Sequence, residues 1–124
     1  YIPFVDIIEY ESRAPFWKPA KGGSSPHTVD PILVESIEEL YQMLVKRGRE
    51  KEVDLMEDGG LNAGNLEPFV KGGMSVGEFS SPLMKGKEGR LKPGTGQIKE
   101  ATANLRKVLT DLSQQYRAED GSLK

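Results

Sequence analysis

The chain has no cysteine and one histidine, His27, among its 124 residues. Without sulfur there is no disulfide, no thiolate nucleophile and no cysteine-based zinc site, and the redox compartment stays open. His27 stands in Ser24-Ser25-Pro26-His27-Thr28, a loop sequence with no carboxylates beside it, so it reads as a surface residue. Long apolar runs are missing too: none approaches the ~20 residues that cross a bilayer, so no transmembrane segment is expected. Charge of one sign is also lacking. Seventeen basic and nineteen acidic residues leave a net charge of −2, which argues against a nucleic-acid partner whose affinity comes from neutralised phosphates.

The familiar ligand motifs are absent as well. A calcium loop begun at Asp54 would place Met56 at its third position and Asn65 at its twelfth, where a bidentate glutamate is needed. The acidic group Glu50, Glu52, Asp54, Glu57 and Asp58 therefore reads as a solvated face balanced by Arg47, Arg49 and Lys51. Neither phosphate-loop pattern fits, since Gly86-Lys87 is followed by Glu88 and Gly72-Gly73 leads to Gly77 at the wrong spacing. Gly94-Thr95-Gly96 before Gln97 reads as a turn and helix cap. The basic residues Lys85, Lys87, Arg90 and Lys92 suffice for weak attraction to anionic lipid headgroups or an acidic subunit. No nucleophile, base and orienting group can be assembled, so the sequence predicts no enzyme, no catalytic residue, no metal ligand and no cofactor.

What is abundant is glycine, proline and a clustering of aromatics. Fourteen glycines and eight prolines accompany a hydrophobic content of 36%, between the composition of a compact globule and that of a disordered chain. Tyr1, Phe4, Tyr10, Phe16 and Trp17 lie on an N-terminal arm punctuated by Pro3, Pro15 and Pro19. Residues 59–96 hold ten glycines and three prolines, yet also Leu61, Leu66, Phe69, Val70, Met74, Val76, Phe79, Leu83, Met84 and Leu91. A flexible linker lacks such apolar anchors, so a receiving surface is expected.

Two segments carry helical periodicity. Asp30 and Pro31 form a start signal for a helix with the stripe Leu33, Ile37, Leu40 and Leu44, widened by Val34, Tyr41 and Val45 and stopped at Gly48. Arg49 to Met56 reads as its continuation or a short restart. A second helix spans Gln97 to Arg117, with Ile98, Ala101, Leu105, Leu109, Leu112 and Tyr116 on one face, and Ser122 to Lys124 are expected to fray. Residues 1–10 read as extended or as a single turn.

The expected fold is mainly α and irregular: two amphipathic helices separated and flanked by long extended Gly/Pro-rich segments, with little or no sheet. Its parts, within one structural unit, are an arm (1–29), a helical segment (30–58), a Gly-rich irregular segment (59–96) and a C-terminal helix (97–124). The expected function is that of a non-catalytic structural or linker subunit in a multi-protein assembly. Its partner-binding residues would be Phe4, Phe16, Trp17, Phe69, Phe79, Leu105, Leu109 and Leu112. Partners would be protein subunits, with peripheral membrane contact through neighbours. The start on Tyr1 rather than Met fits a processed or partial chain, and the expected setting is an organellar membrane complex, photosynthetic (a photosystem) or respiratory, in a chloroplast or mitochondrion. The competing expectation is a small globular module that recognises a ligand or peptide through Gly-rich loops.

Overall fold

The computed structural model describes residues 5–11, 31–58, 60–79, 81–86 and 89–124. Along the chain run β1 (Ile7–Glu11), α1 (Pro31–Lys46), β2 (Asp54–Asp58), α2 (Leu66–Gly72), β3 (Val76–Glu78), α3 (Ser81–Met84), β4 (Lys85–Gly86), β5 (Gly89–Arg90) and α4 (Gln97–Tyr116). The first three strands form one parallel sheet in the order β1-β2-β3, while β4 and β5 make a small antiparallel hairpin. Ile7 pairs with Asp54 and Glu11 with Asp58; Met56 pairs with Val76 and Asp58 with Glu78.

This corrects the mainly α expectation: the protein is an α/β mixture with a three-stranded parallel sheet. Helix α1 starts at Pro31 and the chain turns at Gly48, at φ +67°, as the sequence signals indicate. The expected restart over Arg49 to Met56 is instead a turn leading into β2. Strand β2 reads Asp-Leu-Met-Glu-Asp, and its alternation is real: Leu55 and Glu57 are buried, while Asp54 is exposed and Met56 and Asp58 are half-buried. The signal was masked because one of the two inward positions is a glutamate. Strand β3, Val-Gly-Glu, is too short to show a period.

Strands in consecutive order and parallel direction are joined by crossover helices, which the usual hand of such connections places on one face of the sheet. The core shows which face. Ile37, Tyr41 and Leu44 of α1, Leu55 of β2, Leu66, Phe69 and Val70 of α2, and Leu105 of α4 form one cluster with Val53, Leu61 and Met74. Five of these, Leu61, Leu66, Phe69, Val70 and Met74, come from the glycine-rich stretch. Residues 61–74 of that stretch are therefore packed into the chain's own interior, not left irregular. Its glycines include packing positions: Gly73 ends α2 at φ +123°, and a Cβ there would lie 2.7 Å from the Cβ of Tyr41. Val45, expected on the apolar stripe, is 41% exposed.

The C-terminal tail is also folded rather than frayed. Arg117 and Leu123 form an antiparallel bridge, the Ala118 amide donates to the Ser122 carbonyl (2.9 Å), and Gly121 turns at φ +84°. The Leu123 amide donates to the Tyr41 hydroxyl at 2.9 Å, tying the tail to α1. No helix among the described residues is long and apolar enough to cross a membrane.

Candidate functional site

The sheet face opposite the core carries Ile7, Glu9, Asp54, Met56, Asp58, Val76 and Glu78, none of them buried. At its C-terminal rim three carboxylates from three different strands converge. Single oxygens of Glu9, Asp58 and Glu78 all lie within 4.8 Å of one another. Register explains the meeting: Asp58 and Glu78 are direct neighbours, while Glu9 sits level with Met56, one pleat repeat back, and reaches forward with its longer side chain. Asp58 is half-buried and the two glutamates are exposed. Among the described residues, none of the three forms an ion pair; the pairs present are Arg49–Glu52, Lys51–Asp120 and Lys107–Asp111.

The rim is held by ordered loops. After β2, the Asn62 side chain accepts from the Gly64 amide, Asn65 Oδ1 accepts from the Asn62 amide, and Asn65 Nδ2 donates to the Gly60 carbonyl, each at 2.8 Å. These side chains stand in for a backbone turn and fix the exit of β2. At the other end of the sheet the Ser75 hydroxyl accepts from the Leu55 amide (3.0 Å) and donates to Asp54 (2.9 Å), setting the entry of β3 beside β2.

Glu57, next to Asp58, faces the opposite way. Its side chain is fully buried and neither carboxylate oxygen has a hydrogen-bond partner. Burial, with a smaller push from the Asp58 charge, raises its pKa to about 8, so it is a neutral acid at pH 7. Its register neighbour on β3 is Gly77, where an added Cβ would stand 2.9 Å from the Phe79 ring. The ring thus occupies the space a side chain would need.

Three oxygen ligands with no nitrogen or sulfur suit a hard divalent cation. Bonds of ~2.0–2.6 Å place opposed ligands about 4–5 Å apart, so the observed spacing accommodates such an ion with side-chain adjustment alone. Coordination by three protein oxygens would leave positions for water or for an oxygen of a small molecule, which the ion would polarise.

Sequence reasoning assigned no metal ligands and treated Asp58 as part of a solvated face. The missed signal is an acidic residue at the C-terminal end of each of two strand-length segments, Asp58 before Gly59-Gly60 and Glu78 after Val76-Gly77. Of the residues expected to meet partners, Phe69 and Leu105 lie in the protein's own core, and Phe79, Leu109 and Leu112 pack against it. Phe4, Phe16 and Trp17, like His27, lie outside the described residues. Comparison with protein-family profiles, with curated proteins and with solved structures finds no match for this chain.

Proposed function

We propose that this chain is a ligand-binding α/β module that works at the C-terminal rim of its parallel sheet. There Glu9, Asp58 and Glu78 hold a divalent cation, and through it a small molecule rich in hydroxyl or carbonyl oxygens. The observation that carries the reading is the convergence of three unpaired carboxylates from three strands. The location supports it, because parallel α/β sheets gather their ligands outside the carboxyl ends of the strands, where the loops can vary without disturbing the core. This deepens the module expectation: the loop after β2 is indeed rich in glycine and asparagine, and it borders the carboxylates.

Calorimetric titration with Mg²⁺, Mn²⁺ and Ca²⁺ tests the reading. One of these ions should bind one per chain with a Kd of roughly 10⁻⁴ to 10⁻³ M, as for carboxylate sites of modest rigidity. Asp58→Asn should weaken binding by more than about tenfold, since it removes the half-buried ligand. Asp111→Asn on the exposed face of α4 should leave it unchanged. Absence of saturable binding, or equal binding by Asp58→Asn, would defeat the proposal.

A second reading has its own observation. Among the described residues β1 and β3 each pair only with β2, so each leaves one backbone edge unmatched, and Ile7 on the open face is 53% exposed. Parallel sheets are ordinarily covered on both faces. These edges support the subunit role, in which strands of a larger assembly continue the sheet; it is compatible with a rim site that such strands would help enclose.

A further inference from the structure

On the side of the molecule formed by the helices, a groove of about 600 Å³ runs between the C-terminal end of α2, the last turns of α4 and the folded tail. Leu109 and Ala118, both half-buried, supply most of its apolar lining, over the nearly covered Val70 and Met74 of the core; Ser113, Arg117 and Lys124 are among its polar lining. The size falls in the range of small-molecule sites, and the mix of an apolar bed with a few convergent polar groups is characteristic of them. None of these residues belongs to the strand-end rim.

The groove's charge is unbalanced. The half-buried Arg117 guanidinium donates to the Met74 carbonyl (2.6 Å) and the Gly121 carbonyl (2.7 Å) and lies 6.0 Å from the centroid of the Tyr41 ring. Its direct contacts are dipoles and a ring face, and the Asp54 carboxylate lies close enough to act on its charge; among the described residues no carboxylate forms an ion pair with it. The Lys124 ammonium likewise donates to a carbonyl, that of Gln114, at 2.7 Å. The single carboxylate on the lining, Glu119, is exposed and pairs with neither. Nearby Asp120 is engaged by Lys51 at 2.7 Å and by the Ser122 amide and hydroxyl. A half-buried charge is normally matched by an opposite one at contact distance; Arg117 has none among the described residues, and the exposed Lys124 adds a second cation to the same groove.

We propose that this groove binds a small amphipathic carboxylate, an acyl or aryl acid whose apolar body lies along Leu109 and Ala118 and whose carboxylate meets Arg117 and Lys124. Two of the five guanidinium donors are used by the backbone, and the remainder, with the ammonium, supply the charge-assisted hydrogen bonds that a carboxylate accepts. The backbone bonds also hold the fork in place, so little side-chain freedom is lost on binding. A phosphate or sulfate alone would leave the apolar floor unused, and an uncharged hydrocarbon would leave the two cations unmatched.

Calorimetry and amide chemical-shift mapping on the full chain, with octanoate and octanol as probes, decide it. Octanoate should saturate with a Kd below about 1 mM, and octanol should bind at least about tenfold more weakly, the cost of losing a charge-assisted contact. Shifts should centre on α4 and the tail. Lys124→Gln should weaken octanoate about tenfold, and Ser113→Trp, placed on an exposed position of the lining, should block it without lowering the melting temperature. Equal binding of octanol, octanoate binding that survives both substitutions, shifts confined to the strand ends, or no saturation would overturn the proposal. Because the two sites share no residue, failure here leaves the cation site standing, and the reverse holds.

Discussion

At the scale of single residues the most consequential side chain is Glu57. It occupies an inward position of the central strand, fully buried with both oxygens unpartnered, and its pKa stands near 8 against an ordinary 4.5. Between those values the folded protein keeps a proton that the unfolded chain has already released. Stability therefore falls as pH rises from about 4.5 to about 8 and levels off above the folded value. Replacing Glu57 with Leu, of similar volume, should abolish this slope and stabilise the fold at pH 8.5 by on the order of 3 kcal/mol relative to wild type, with a much smaller gain at pH 5. Urea unfolding at the two pH values measures it. An identical pH slope in wild type and variant would show that the carboxyl is solvated. This residue was legible in the sequence only as one more acid in a charged run, because nothing in a single sequence separates a buried glutamate from an exposed neighbour such as Glu52.

Elements were legible in proportion to their length and to how regularly they alternate. The 16-residue α1 and the 20-residue α4 give several turns of apolar spacing, and both lie where the pattern puts them. The five-residue β2 offers two inward positions, one of them Glu57, the three-residue β3 offers one, Gly77, and β1 is no longer than β2, so no period could emerge. The sheet exists because of long-range pairing, which local spacing does not encode. Two glycines of the 59–96 stretch serve close approach: Gly73 lets α2 end against Tyr41, and Gly77 leaves room for Phe79. The edge strands bear on the assembly role. If further strands continue the sheet, Ile7→Lys on the open face of β1 should shift the protein toward the monomer in light scattering. A wild-type chain that stays monomeric at all concentrations and alongside its cellular partners would remove that role.

For the whole molecule, consecutive βα units with their helices on one side are the winding that builds singly wound sheets and barrels, and this topology puts Glu9, Asp58 and Glu78 at one rim. No spacing in the chain announces the trio, since Glu9 and Asp58 are separated by an entire crossover and meet only because the strands run parallel. The rim and the α4 groove are thus products of topology, one gathering negative charge and the other positive. The most direct measurement is paramagnetic broadening of amide signals by substoichiometric Mn²⁺. Signals at the ends of β1, β2 and β3, around Glu9, Asp58 and Glu78, should vanish first and return in Asp58→Asn. Broadening centred elsewhere, for example on the acidic outer face of α1 at Glu35, Glu38 and Glu39, or broadening that Asp58→Asn leaves intact, would contradict a cation site at the strand ends.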